Sequence, residues 1–251
     1  MKDVDASAAG SPARVSVVLP TYNERDNISP LIETITRAME QSGYPTPEII
    51  VVDDDSPDGT WKVVQGIAER APNVRLIHRT SERGLTSAIA TGIAQAKGEI
   101  VAWMDCDFSM PPELIPELVA VLEGADLAVG SRYVRGGMDV GHSSAGRLFS
   151  RAINLFASLL LDFSIKDYTS GFIAARREVF DRIGLHGDYG EYCIDLLYRA
   201  KKAGFHIKEI PYRCVPRRAG ESKTAPNIMG YFRRGWKYVL TILRLRFGWK
   251  G

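Results

Sequence analysis

Residues 49–60 read Ile49-Ile50-Val51-Val52-Asp53-Asp54-Asp55-Ser56-Pro57-Asp58-Gly59-Thr60. Four β-branched residues in a row, with no polar alternation, describe a strand buried on both faces, as in the interior of a parallel sheet. Ser56-Pro57-Asp58-Gly59 is a turn sequence, and helical periodicity follows over 61–69. The same order of apolar run, polar turn and helix recurs on both sides. Strands are expected at 15–19, 74–77 and 100–104, with helices at 27–41 and 85–96. A βαβαβαβ series of this kind predicts an α/β fold with a mostly parallel central sheet flanked by helices. The second half is less regular, with strands expected at 127–130 and 172–175, helices at 145–161 and 194–203, and a strand-like run at 207–215. It reads as an extension of the same domain, so the expected organisation is a disordered leader at 1–13, a catalytic domain at 14–226 and a basic aromatic tail helix at 227–251.

Composition narrows the function classes. The 251 residues are 45% hydrophobic and 25% charged, ordinary values for a folded domain, and the formal net charge is only +2. That balance gives no support to a nucleic-acid binder that works by neutralising phosphates. The three cysteines, Cys106, Cys193 and Cys214, are odd in number and lack a CxxC pair, which argues against a disulfide framework and fits a reducing compartment. The leader has no apolar h-region, and the longest apolar stretch, 155–161, is far short of the roughly 20 residues that cross a bilayer. The expectation is a cytoplasmic protein whose membrane contact, if any, is peripheral.

Sheets of this type present ligands at the carboxyl ends of their strands. Those ends carry Pro20-Thr21-Tyr22-Asn23-Glu24, the run of Asp53, Asp54 and Asp55, and Asp105-Cys106-Asp107-Phe108-Ser109. Neither a GxGxxG nor a GxxxxGK[ST] motif is present, so phosphate must be held by another device. Asp105 and Asp107, separated by one residue after a buried strand, can aim two carboxylates at one Mg²⁺ or Mn²⁺ shared with a diphosphate, with Ser109 as a further oxygen ligand. The plain alternative is a turn or a helix cap. Three successive aspartates at 53–55 repel one another unless a cation, hydroxyl or N–H group uses them. Ribose hydroxyls and base N–H groups are such users.

Seven segments taken together carry a resemblance. They are Leu19-Pro20-Thr21-Tyr22-Asn23-Glu24, Asp53-Asp54 with Ser56-Pro57-Asp58-Gly59-Thr60, Gly84-Leu85, Asp105-Cys106-Asp107, Gly130-Ser131-Arg132-Tyr133, Thr169-Ser170-Gly171-Phe172, and Arg217 with Gly220-Glu221-Ser222-Lys223. In this order the chain resembles the dolichol-phosphate mannose synthases within the family 2 inverting glycosyltransferases. The resemblance implies a GT-A-type nucleotide-diphospho-sugar transferase fold. It also implies transfer of mannose from GDP-mannose to a polyprenyl or dolichyl phosphate, with Mg²⁺ or Mn²⁺ as cofactor. Pro20, Tyr22, Glu24, Val52 and Asp54 match positions that hold the guanine and ribose. Asp105, Cys106 and Asp107 match the DxD motif, with both aspartates and Ser109 around the metal. Arg132, Arg217 and Lys223 match basic residues on the donor's phosphates or sugar, and Arg147 and Arg151 stand where a lipid phosphate is received. The set expected to carry catalysis is Asp105, Asp107, Arg217 and Lys223.

The chemistry agrees. Departure of a nucleoside diphosphate develops negative charge on the leaving oxygen, which a cation with Arg and Lys stabilises. A lipid phosphate is already an anion, so no Ser/His or Cys/His nucleophile is required. The tail mixes Trp236, Tyr238 and Trp249 with Arg233, Arg234, Lys237, Arg244 and Arg246, with no acidic residue after Glu221. That pattern suits an anionic membrane surface, and the resemblance leaves room for a small membrane-anchoring partner subunit.

The match departs at Asp55, Cys106 and Ile173, and at Tyr192-Cys193-Ile194-Asp195. The alternatives are transfer of glucose or N-acetylhexosamine to undecaprenyl phosphate, a non-catalytic nucleotide-sugar-binding regulatory subunit, or a nucleotidyltransferase. The last normally has a Gly-rich basic loop where Tyr22, Asn23 and Glu24 stand.

Overall fold

The computed structural model describes residues 14–219 and 228–248, with the side chains of 228–234 outside that description. The leader at 1–13, the segment 220–227 that holds Lys223, and residues 249–251 lie outside the described residues. In chain order the first half runs β1 (Val15–Thr21), α1 (Arg25–Gln41), β2 (Glu48–Asp53), α2 (Thr60–Ala68), β3 (Val74–His78), α3 (Leu85–Gln95) and β4 (Ile100–Trp103). A short 3-10 turn (Pro112–Leu114) leads into α4 (Ile115–Val121) and β5 (Leu127–Ser131). Then come β6 (Met138–Asp139), α5 (Ser144–Leu160), β7 (Ile173–Arg176), α6 (Arg177–Ile183), α7 (Tyr192–Lys202), β8 (Ile207–Pro211), β9 (Arg213–Cys214) and α8 (Ile228–Phe247).

The main sheet has seven strands in the order β3-β2-β1-β4-β7-β5-β8. All neighbours are parallel except at β7, which runs antiparallel to both β4 and β5. The expected mostly parallel sheet is therefore present, with one reversed strand. The 207–215 run divides in two: β8 joins the main sheet, and β9 pairs with β6 in a separate two-stranded ribbon.

Alternation along the strands feeds two apolar layers. Val17, Leu19, Ile49 and Val51 face one way and meet Ile28, Leu31 and Ile35 of α1, Val64 of α2 and Leu118 of α4. Val18, Ile50 and Val52 face the other way and meet Ala88, Ile89 and Ile93 of α3. That second layer extends through Ile153 of α5, Ile194 and Leu197 of α7 and Ile242 of α8. Each large aliphatic side chain so buried contributes about 1.5–3 kcal/mol. Helix α3 lies close on β1 because residue 92 is glycine: a Cβ there would come within 2.3 Å of Val18 Cγ1.

Candidate active site

The polar turns after β1, β2 and β4 converge, and the first two hold one another in shape. The backbone N–H groups of Asn23, Glu24 and Arg25 donate to Ser56 Oγ at 3.0 Å, Thr60 Oγ1 at 3.0 Å and an Asp58 carboxylate oxygen at 3.1 Å. The turn after β2 thereby satisfies donors that would otherwise be orphaned at the start of α1. Each of the three turns also carries a non-glycine residue in the left-handed region, Asn23 at φ 56°, Asp55 at 57° and Phe108 at 62°. Such backbone, uncommon for a bulky residue like phenylalanine, clusters at functional sites where the surroundings hold it in place.

The aspartate run is used differently from the expectation. Asp53, fully buried, accepts from Thr21 Oγ1 at 2.9 Å, Ser56 N at 2.8 Å and Ser56 Oγ at 2.6 Å. Asp54 accepts from Arg79 Nε at 2.7 Å and Gly84 N at 2.8 Å, and Asp55 stands 2.9 Å from His78 Nε2. The turn points the three carboxylates to three sets of protein donors, so the repulsion is relieved inside the chain itself. Asp54 still borders the cleft.

Two connected chambers open at these strand ends. The first, ≈ 480 Å³, is bordered by Pro20, Tyr22, Glu24, Asp54 and Arg83. The second, ≈ 270 Å³, is bordered by Ser109, Arg132, His142, Ser150, Thr169 and Tyr192. Asp105, Asp107, Leu85, Tyr189 and Arg217 border both. The carboxylate pair and Arg217 therefore stand where the two spaces meet, and the combined size suits the roughly 300–1,000 Å³ of small-molecule sites.

Arg217 is placed by long-range contacts. Its Nη2 donates to Glu24 Oε1 at 3.0 Å and lies 3.8 Å from Asp107 Oδ2, and its Nε donates to Ala219 O at 3.1 Å. The backbone on either side is stitched to the DxD turn, with Val215 N donating to Ser109 O at 3.0 Å and Arg218 N to Asp107 O at 2.9 Å. Ser109 N donates to Asp107 Oδ1 at 2.9 Å, and the Arg218 guanidinium lies over the Phe108 ring. The donor set fits a hard divalent cation: two half-buried carboxylates two residues apart, both bordering the cleft, with Ser109 nearby, while the thiol of the intervening Cys106 is engaged by Pro20 O.

Several expected residues are placed otherwise. Val52 is fully buried between β1 and β3 and borders neither chamber; its apolar side chain belongs to the core. Cys106 turns its buried thiol onto Pro20 O at 3.4 Å, although the residue borders the first chamber. Arg132 reaches the second chamber, but its guanidinium is clamped by Asp167 through bonds of 2.8 and 2.7 Å and by Thr169 Oγ1 at 2.8 Å. Arg147 donates to His142 O at 2.8 Å and Ser144 Oγ at 3.1 Å. Neither Arg147 nor the exposed Arg151 borders a chamber; Ser150 from the same helix does. Sequence reasoning missed Arg83, 5.6 Å from the Tyr22 ring centre, although it adjoins the Gly84-Leu85 pair that was noticed. It also missed Tyr189; Tyr192, part of the segment that departs from the family pattern, borders the second chamber, and its hydroxyl accepts from Trp103 Nε1 at 2.9 Å. His142 was left out too. Hydrogen bonds to Asp139 and then to Cys214 hold its imidazole up to about 9, against the opposing effect of burial.

A mostly parallel sheet with a DxD turn at its carboxyl edge and a two-chambered cleft defines a GT-A-type nucleotide-sugar transferase. The family model described as "Glycosyl transferase family 2" matches residues 16–184, and the chain belongs to that family. It is 38% identical to the polyprenol monophosphomannose synthase of Mycolicibacterium smegmatis, over 87% of this chain and 84% of that protein. It is 33% identical to the undecaprenyl-phosphate mannosyltransferase of Micrococcus luteus, over 86% of this chain and 90% of that protein. The dolichol-phosphate mannosyltransferase of Pyrococcus furiosus is 37% identical over 95% of this chain, which spans 65% of that protein's length. Among solved structures, glucosyl-3-phosphoglycerate synthase from Mycobacterium tuberculosis, in complex with Mn²⁺, UDP and phosphoglyceric acid, superimposes with a TM-score of 0.69 at 23% identity. That match covers 94% of this chain and 79% of that one.

Proposed function

We propose that this protein transfers a mannosyl group from GDP-mannose to a polyprenyl phosphate with inversion at the anomeric carbon, at a membrane surface. The observation that carries the reading is the position of Asp105, Asp107 and Arg217 at the junction of two chambers. One chamber has room for a nucleoside and the other for a sugar and an incoming phosphate. The names of the relatives support mannose and a polyprenyl phosphate acceptor.

In this reading the Tyr22 ring and Arg83 flank the base, and Pro20 and Asp54 border the nucleoside. Asp105 and Asp107, with Ser109, would hold a Mg²⁺ or Mn²⁺ ion, and a bound ion supplies charge neutralisation to the departing diphosphate. Arg217 supplies a fixed positive charge to the same oxygens, already aimed by Glu24 and already desolvated in part. The second chamber keeps Ser150, Thr169 and the clamped Arg132 around the acceptor's phosphate, which is an anion at neutral pH and attacks without a general base. Glu24 and Asp107 together offset the charge of Arg217 when no diphosphate is bound. Lys223 is the further cation the reading assigns to the diphosphate.

The membrane part rests on α5 and α8. Among the described residues no helix is long and apolar enough to cross a membrane. Yet Leu148, Leu155 and Leu159 are 71%, 58% and 56% exposed, at helical spacing on α5, close to the exposed Arg151. Trp236 and Phe247 are exposed on α8, which packs against α5. Apolar side chains grouped with basic ones at a surface fit the interfacial layer of an anionic leaflet.

Incubating the protein with polyprenyl phosphate and a panel of labelled nucleotide sugars tests the reading. Label is expected in the organic phase from GDP-mannose and only with Mg²⁺ or Mn²⁺. Equal transfer from UDP-glucose or UDP-N-acetylglucosamine would remove mannose, and no labelled lipid with any donor would remove the transferase reading.

A further inference from the structure

We propose that Asp139, His142 and Cys214 form a second cation site, on the wall of the second chamber, for a borderline-soft divalent ion of the Zn²⁺ class. This inference is independent of the sugar and acceptor proposed above. Strands β6 and β9 pair in parallel with Asp139 directly opposite Cys214, and Val140 N donates to Cys214 O at 2.9 Å. After Asp139 the chain turns back: His142 N donates to Asp139 Oδ1 at 3.2 Å, and the imidazole Nδ1 stands 2.9 and 3.0 Å from the two carboxylate oxygens. Residue 141 must be glycine for this turn to lie where it does. A Cβ there would meet Val215 O at 2.4 Å and Cys214 Sγ at 3.1 Å.

The result is that one carboxylate oxygen, one imidazole nitrogen and one thiol sulfur lie within 4.8 Å of one another. Zinc bonds of about 2.0–2.3 Å place tetrahedral ligand atoms roughly 3.3–3.8 Å apart. The three groups are thus within about an ångström of a binding arrangement. The imidazole contacts both the Asp139 carboxylate and the Cys214 thiol, so one ring already gathers an oxygen and a sulfur ligand beside its own nitrogen. Cys214 and Asp139 are buried while the His142 ring is 43% exposed toward solvent, and His142 and Cys214 both border the second chamber. Three protein ligands with a fourth position open to a cavity is the pattern of zinc sites that exchange a water or ligand. A thiolate also separates this site from the pair at Asp105 and Asp107, since soft sulfur selects against Mg²⁺ and Mn²⁺. The site sits at the root of the segment that carries Arg217, because Val215 follows Cys214 and is bonded to Ser109. A bound ion would therefore stiffen that segment.

The test is a titration of the intact protein with Co²⁺ in saturating Mg²⁺, followed by Zn²⁺. Wild type is expected to show a thiolate-to-cobalt charge-transfer band that saturates at one ion per chain and is displaced by Zn²⁺. Cys214→Ser should lose the band, His142→Ala should bind Zn²⁺ at least about tenfold more weakly, and Cys106→Ala and Asp107→Asn should behave as wild type. Zn²⁺ should also raise the melting temperature of wild type and leave that of Cys214→Ser unmoved. Absence of the band in wild type overturns the proposal whatever the variants do. So does a Cys214→Ser protein that melts cooperatively and binds Zn²⁺ as wild type does.

Discussion

Arg217 and Glu24 meet at 3.0 Å although 193 residues separate them in the chain. Glu24 ends the turn after β1 and is buried, so the carboxylate both needs a partner and fixes where the guanidinium sits. Arg217 is thus held at the junction of the two chambers before any ligand arrives. Arg217→Ala is expected to lower kcat/KM by about 10²-fold or more. Arg217→Lys should keep part of the activity, because it retains the charge and loses the planar fork. Steady-state rates with labelled donor measure both.

Arg132 and Asp167 form a buried ion pair, with side chains 6% and 0% exposed. Asp167→Ala leaves that guanidinium without its main partner and should cost about 3–5 kcal/mol. A double replacement, Arg132→Met with Asp167→Leu, should be less destabilised than Asp167→Ala alone, because no unpaired charge remains. Urea denaturation of the three proteins checks the order.

Glu48 ties β1, β2 and β3 together at their amino ends. Its carboxylate accepts from Ser16 Oγ at 2.5 Å, Lys97 N at 2.8 Å and Arg75 Nη1 at 2.8 Å. Burial pushes its carboxyl up, but these three donors outweigh burial and hold it below its ordinary value. With the folded pKa depressed, the stabilisation is complete above the ordinary carboxylate pKa and fades as pH falls through the folded value. Glu48→Gln should therefore cost about 1–3 kcal/mol near neutrality, and the gap to wild type should shrink as pH falls below the ordinary carboxylate range. Melting temperatures across that range decide it.

The stripe on α5 yields a prediction of its own. Glutamate at Leu148, Leu155 and Leu159 should sharply reduce sedimentation with anionic vesicles while leaving the melting temperature nearly unchanged, since all three side chains are exposed. Unchanged vesicle binding would remove α5 from the membrane contact.

The layout of the sheet was legible because buried parallel strands leave unbroken apolar runs, as at 49–52, and because their polar ends mark the cleft. The reversal at β7 was not, since its direction is set by how the returning chain enters between β4 and β5 and not by residues 173–176. Asp105, Asp107 and Arg217 were read as one site from motif order, and the structure brings them together. Asp53 and Asp55 misled because their donors, Thr21 and His78, arrive from neighbouring strands 32 and 23 residues away. Val52 was carried over with its motif although its own character as a β-branched residue in a buried run pointed to the core. The Asp139, His142 and Cys214 cluster leaves no trace in the sequence, because the β6–β9 pairing joins positions with no recognisable spacing.

In the proposed reaction a cation held by the DxD pair is required for sugar transfer to a lipid phosphate. That requirement is tested most directly by measuring labelled lipid formed from GDP-mannose and polyprenyl phosphate by wild type and Asp107→Asn, each with Mg²⁺, with Mn²⁺ and with chelator. Transfer by wild type only when a cation is supplied, and at least about 10²-fold less by Asp107→Asn, is the predicted result. Undiminished transfer by folded Asp107→Asn, or by wild type in chelator, would contradict it.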